Sequence, residues 1–426
     1  MSSAEHVLPE RQLKELQKAI LDFMHTQGYT SSADEFARET DNVGFVADAK
    51  DRHHNLLAKK WTSVIRLQKK IMELETKLSK LQEDVRTGAV STRRGGKPAE
   101  WLPRPPAKQT LAQHRAPITS VRFHPQYMVL ATASEDMTVK IWDSESGDFE
   151  RTLKGHTKTV QDMAFDAKGT SLVTCSADLT LRVWDVADEY KCVRTLHGHD
   201  HCVSAVCFVG ADKIASASRD KTVKIWELAT GYCVKTLSGH SDWVRGLGVS
   251  SDANLLCTAS NDQSVRLWDL RSGECKGDMR GHDNVVEVAK FAPAVAHPFL
   301  RRLAGLPPAP AAKQNSSVES VSSDEFVISG SRDKTLRLWD CASQQLLHTF
   351  VGHDDWVRDF VVHPSGKTLI SVSDDKTMRV WDLITGRCSK TIDASEHFTT
   401  CVDFSTVNPL VATGSVDTTV QLWACR

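Results

Sequence analysis

No stretch of this 426-residue sequence strings together the roughly 18 apolar residues that a membrane span requires, and its first residues lack a secretory apolar region. Charge of one sign is missing too. Lys and Arg number 53 against 54 Asp and Glu, for a net charge of −1, so no global field favours nucleic acid. Cysteine is absent before Cys175, and the eleven from there to Cys425 form no CxxC pair and no His/Cys zinc spacing. Several, among them Cys207, Cys257 and Cys401, fall inside apolar runs. They read as reduced thiols filling a core, not as disulfides or metal ligands. No cofactor is expected.

What the sequence does hold is a beat. Trp142, Trp184, Trp226, Trp268, Trp339, Trp381 and Trp423 follow one another at steps of 42, 42, 42, 71, 42 and 42 residues. A fixed period in the low forties predicts a β-propeller with one four-stranded blade per repeat. The step of 71 equals one period plus an insertion of 29 residues, so the expected count is seven blades.

Each beat carries companions. An Asp stands six residues before every one of these Trp (Asp136, Asp178, Asp220, Asp262, Asp333, Asp375, Asp417), and a Ser eight before (Ser134 through Ser415). A His lies 26 to 28 residues upstream in six repeats (His114, His156, His199, His240, His353, His397), with His282 displaced by the insertion. Ser, His and Asp together suggest a hydrolase. Seven copies argue for scaffold instead, with the His bridging the Asp and the nearby Ser so that buried polar groups find partners. These are the landmarks of WD-repeat proteins, named for the dipeptide seen at Trp142-Asp143, Trp184-Asp185, Trp268-Asp269, Trp339-Asp340 and Trp381-Asp382. The sequence ends three residues after Trp423, which leaves the last blade short of a strand. The segment 108–113 is expected to supply it, latching the ring and hiding a sheet edge.

The first hundred residues differ in character. Over 8–40, Leu13, Leu16, Ile20, Phe23 and Met24 form an apolar stripe at helical spacing, and Ser31 and Ser32 are expected to cap a second helix holding Ala33 and Phe36. So short a unit cannot bury a core alone, and a second copy of itself is the simplest partner. The string from Ala19 to Glu39 resembles the Lis-homology motif, a helical dimerisation module. Over 56–86 a heptad follows, with Leu57, Val64, Ile71, Leu78 and Val85 at a, and Leu67, Leu74 and Leu81 at d. β-Branched residues at a with Leu at d favour a parallel two-stranded coil, the alternative being one amphipathic helix docked on the propeller. Residues 87–107 form a Gly-, Pro- and Arg/Lys-rich linker. The basic neck that the coil and linker make together is suited to an acidic surface such as tubulin, or is simply a solvated face.

In this order, Lis-homology motif, short coil, basic linker and seven WD repeats resemble the lissencephaly protein family. The stretches 59–70 (Lys-Lys-Trp-Thr-Ser-Val-Ile-Arg-Leu-Gln-Lys-Lys), 101–106 and 231–236 are similar to that family's own. The resemblance implies a homodimer that binds the heavy-chain motor domain of cytoplasmic dynein and acts in microtubule-based transport, nuclear positioning and the mitotic spindle. NudE-type coiled-coil proteins are implied as co-partners, with dynactin, tubulin and the catalytic subunits of an acetylhydrolase as further ones. It also implies a place in the cytoplasm, on the cytoskeleton, at the centrosome and on the spindle. The other class of protein that sets a Lis-homology motif before WD repeats is the nuclear corepressor or ubiquitin-ligase adaptor. The coil and linker stretches argue against it. An enzyme has only the repeated Ser/His/Asp sets in its favour.

The beat also works as a ruler. The loop bearing the His and the turn bearing the Asp open on one face, and non-repeating residues beside them are candidates for contact. Arg219 and Arg332 stand just before an Asp, and Lys376 just after one. Trp243 with Arg245, and Trp356 with Arg358, follow a His in two copies of Asp-Trp-Val-Arg. Trp and Arg are the residues enriched at interface hot spots. The resemblance places the positions of Arg219, Arg245, Arg332, Trp356 and Lys376 on the dynein-contacting face, with Lys154 as a second contact. The insertion over 294–322, which includes Leu306-Pro307-Pro308-Ala309-Pro310, is expected to be a disordered loop on the opposite face, with Ser316, Ser317, Ser320, Ser322 and Ser323 as candidate regulatory positions.

Overall fold

The computed structural model describes residues 10–26, 29–40, 42, 101–307 and 325–425. The chain divides into two compact units, Met1–Arg94 and Gly95–Arg426. The coil over 56–86, with Val64, Leu67, Ile71, Leu74, Leu78 and Leu81, lies outside the described residues, as do the Ser residues between 316 and 323.

In the first unit, α1 (Glu10–Thr26) and α2 (Thr30–Glu39) form the expected helix pair. Tyr29 N–H donates to the Met24 carbonyl at 2.9 Å and closes the corner between them. The start of α2 departs from expectation. It begins at Thr30 with Tyr29 at the cap and no side-chain capping bond, so Ser31 and Ser32 sit in its first turn. Ala19, Leu21 and Ala33 are buried, while Ile20 and Phe36 are half-buried and Leu16 and Phe23 are each 38 % exposed. The i, i+4, i+7 stripe Leu16–Ile20–Phe23 therefore remains only partly covered.

The second unit is seven four-stranded antiparallel sheets. Seven apolar clusters hold them together, each joining the later strands of one blade to the first strands of the next. The periodic Trp of each blade lies in such a cluster, 1 to 4 % exposed. Trp142 of blade one, for example, packs with Leu111, Leu410, Val420 and Leu422 of blade seven.

The ring closes through both ends of this unit. The strand Gln109–Leu111 pairs antiparallel with Val420–Ala424 and is the fourth strand of blade seven. The contact begins earlier than the expected linker boundary: Pro103 bridges Cys425, Lys390 Nζ donates to the Pro103 carbonyl at 2.7 Å, and Trp101 and Leu102 pack on the cluster around Trp423.

The insertion is not simply a loop. A 3-10 turn at Ala294–Ala296 leads into α3 (His297–Leu303), with Pro298 in its first turn where no N–H is missed. Ala296 and Leu300 are fully buried against blade six, in a cluster with Leu369, Trp381 and Leu383, and Phe299, Leu303 and Leu306 pack around them. Ala296, Phe299, Leu300 and Leu303 fall at i, i+3, i+4 and i+7, a helical face hidden within a Pro- and Ala-rich composition. Residues 308–324 lie outside the described ones.

Candidate partner-binding face

The repeated His and Asp meet as expected in six blades, at 2.6 to 2.9 Å from His Nδ1 to Asp Oδ2. The hydroxyl partner differs from expectation. His Nε2 meets the Ser or Thr ten residues before the Trp (Thr132, Thr174, Ser216, Thr258, Ser329, Ser371) at 2.6 to 2.8 Å, and the indole N–H donates to the same oxygen. The Ser eight residues before the Trp instead braces the turn: Ser134 Oγ donates to the Ala116 carbonyl at 2.9 Å and accepts from the Asp136 N–H at 3.2 Å. Alternation along a strand explains the shift, since those two positions lie on one face but reach different neighbours. Burial alone would raise the Asp pKa values; the bonds from His and from the Thr or Ser two residues on hold all six well below the ordinary carboxylate range.

Blade seven breaks the pattern. Trp423 still donates to Thr413 at 2.9 Å, but His397 is exposed and accepts the Phe398 N–H at 2.9 Å. Counted forward to the first strand, the His position of the other blades falls here on Ser395. Distance to the Trp made His397 look equivalent; distance to the strand shows that it is not. The preceding Gly has its own logic. A Cβ at Gly155, Gly239, Gly281 or Gly352 would lie 2.6 to 2.9 Å from a guanidinium nitrogen on the third strand of the same repeat. Blade one has Lys140 in that place and carries Gln113, and blade seven has Gln421 and carries Ala394, whereas blade three has Lys224 and keeps Gly198, at φ +148° and against the Trp226 ring.

The candidate face is built by a second repeating device. Near the start of all seven innermost strands the pairing slips by one residue, a β-bulge. The extra residues are Thr119, Gln161, Ser204, Arg245, Glu287, Arg358 and Thr400. All seven line one cavity of about 380 Å³ on the ring axis. In blades one, three and seven the bulged residue is a hydroxyl that donates to the backbone of the next blade: Thr119 to Val160 at 2.7 Å, Ser204 to Val244, and Thr400 to Ile118 at 2.6 Å. In blades four, five and six it is charged.

There the predicted residues come together as two stacks. The Arg219 and Arg245 guanidinium carbons lie 4.7 and 5.9 Å from the Trp243 ring centre, and those of Arg332 and Arg358 lie 4.1 and 5.0 Å from that of Trp356. Glu287, which the sequence reading did not single out, joins them. Its carboxylate accepts from Arg332 Nε and lies 3.4 Å from Arg245 Nη1 and 3.7 Å from Arg358 Nη1. Asn261 Oδ1 takes Arg245 Nε at 2.6 Å, and Asp374 takes Arg358 through two bonds of 2.8 and 2.7 Å. Arg219 has no carboxylate partner among the described residues. Burial, reinforced by Arg332, Arg219 and Arg358 against the pull of Glu287, lowers the pKa of Arg245. Burial disfavours the charged form of Arg358 as well, but Asp374 and Glu287 outweigh it and raise its pKa.

Lys376 stands exposed in the turn of blade six on the same face, apart from the stacks. Lys154 ends the outer strand of blade one and is not brought to them. One signal would have found Glu287: aligning the strands on Ile118, Val160, Val203, Val244, Val286, Val357 and Thr399 puts it in register with Arg245 and Arg358.

Comparison with known proteins agrees with this architecture. Residues 10–45 match the PAC1 LisH domain, and seven WD domain, G-beta repeats match over 106–143, 147–185, 190–227, 231–269, 312–340, 344–382 and 386–424. The chain is 52 % identical to the nuclear distribution protein PAC1 of Coprinopsis cinerea, across 98 % of this chain and 99 % of that one. It is 47 % identical to the protein of that name from Coccidioides posadasii, over 93 % of this chain and 86 % of the other. For that of Gibberella zeae the figures are 46 %, 92 % and 87 %. With a LisH domain, seven WD repeats closing one ring and about half its residues shared along nearly its full length, the chain belongs to the nuclear distribution protein PAC1 family, the lissencephaly family that its motifs resemble.

Proposed function

We propose that this protein is a dimeric, non-enzymatic regulator that binds the motor domain of cytoplasmic dynein through the Arg–Trp face of blades three to six. The observation that carries the reading is the face itself: four Arg stacked on two Trp beside the ring axis, at positions where blades one, two and seven carry neither Arg nor Trp. Stacked, partly desolvated Arg and Trp are the side chains that concentrate binding energy, and cations there suit an acidic partner. The relatives' shared name, nuclear distribution protein, fits a motor that moves nuclei. The acetylhydrolase, NudE-type and dynactin partners rest on the family resemblance.

The half-covered stripe Leu16–Ile20–Phe23 supports dimerisation through the helical unit. Two propellers joined in this way engage two motor sites, the second at an effective concentration that approaches millimolar when the linker fits the span. Affinity of purified dynein motor domain for Arg245→Ala and Trp356→Ala is the direct test. Each should lose about 2 kcal/mol, roughly thirtyfold. Wild-type affinity in both variants, with folded propellers, would move the site elsewhere. Sedimentation tests the dimer separately: the full chain should be dimeric at micromolar concentration, and a chain lacking residues 1–86 monomeric.

A further inference from the structure

Like charges do not gather without a reason. Arg245, Arg332 and Arg358 come from three successive blades, and Coulomb repulsion would send such side chains to separate positions in solvent. Glu287 stands where all three can reach it. Its side chain is only 9 % exposed, its carboxylate faces Arg332 through one oxygen and Arg245 through the other, and Arg358 lies 3.7 Å away. Backbone packing sets this meeting. A Cβ at Gly246 would lie 2.9 Å from the Glu287 carbonyl oxygen, and one at Gly248 would lie 2.8 Å from that of Ala289. The two glycines of blade four thus let its innermost strand lie close against that of blade five, bringing Arg245 alongside Glu287.

We infer that Glu287 is a positioning residue of the partner-binding face, holding Arg245, Arg332 and Arg358 in one arrangement before an acidic partner arrives. It contributes to affinity through geometry, against the sign of its own charge. An acidic side chain at the centre of a cationic site opposes an acidic partner by simple electrostatics; fixing three long rotamers before binding removes an entropic cost that loose arginines would meet on binding. The partner segment that fits presents carboxylates to the outward edges of the stacked guanidiniums. This inference rests on the motor-binding reading above.

Three variants separate geometry from charge, measured for motor-domain affinity at low and at moderate salt beside thermal unfolding. Glu287→Asp keeps the charge but draws the carboxylate back by about one C–C bond, roughly 1.5 Å, beyond reach of all three Arg at once. It should bind about five- to tenfold more weakly. Glu287→Ala raises the positive charge of the face yet should bind at least tenfold more weakly at both salt concentrations. Glu287→Gln, with the same reach and one acceptor, should fall between Glu287→Ala and wild type. The losses from Glu287→Ala and Arg332→Ala should not add, since one acts through the other. Glu287→Asp binding like wild type, or Glu287→Ala binding more tightly at low salt, would overturn the inference. Arg245→Ala is the control: if it too binds like wild type, the fault lies in the assignment of the face and not in the role of Glu287.

Discussion

Two arcs of one ring use six of its seven bulged positions for different ends, while the seventh, Gln161 of blade two, donates to Thr159 beside it. On the arc of blades seven, one and three, the bulge holds a Thr or Ser that ties each blade to the next. On the arc of blades four to six it holds Arg245, Glu287 and Arg358, which meet across the blades as side-chain ion pairs and not through a bond to the next blade's backbone. A bulge turns one side chain out of the sheet's alternation, so it can be spent on the seam or on the solvent face. Blade seven extends the contrast. It lacks the His–Asp bond of the other six, and both ends of the propeller chain seal it instead. Scaffold positions in a repeat can therefore be surrendered where another contact closes the ring.

Acid offers the broadest way to probe this contrast. Six Asp are held below the ordinary carboxylate range in the folded chain, so their stabilisation is fully present above pH ~4 and is lost as pH falls through and below that value. Unfolding followed by circular dichroism should show the melting temperature falling steeply below pH ~4. A flat profile there would mean that the His–Asp pairs matter little. His353→Ala and His397→Ala sharpen the comparison between blades. The first leaves Asp375 and Ser371 short of a partner and should cost about 3 kcal/mol in denaturant unfolding; the second removes an exposed ring and should stay within about 0.5 kcal/mol. Equal losses would erase the distinction. Gly246→Ala presses a methyl on the blade-five backbone and should cost about 1–3 kcal/mol of stability, with weaker motor binding beside it. The smallest effect should come from Thr400→Val, about 1 kcal/mol for one lost bond across the closing seam, with motor affinity unchanged.

Much of the fold was legible because blades repeat. The Trp ruler led to seven sheets, to the closing strand near 108–113 and to the Arg and Trp that stack on one face. Its failures share a cause. His397 lies at the expected distance before Trp423, but the loop that fixes the role of this position is tied to the nearer strand that begins at Thr399. Spacing puts two hydroxyls near each His without saying which neighbour either reaches, so Ser371 and not Ser373 is the partner of His353. The Pro and Ala content of the insertion hides the single helical face formed by Ala296, Leu300 and Leu303. Glu287 escaped notice because a lone acid among candidate cations carries no motif.

Sequence alone determined the number of blades, the network residues of most of them and the composition of the face, because these depend on residue type at fixed separations along the chain. Tertiary structure decided which arginines share a carboxylate, which His stands outside the His–Asp network and where the two ends of the propeller segment meet. Those outcomes depend on how closely neighbouring blades approach, and that distance is set by backbone packing such as that of Gly246 against blade five. No separation along the chain encodes it.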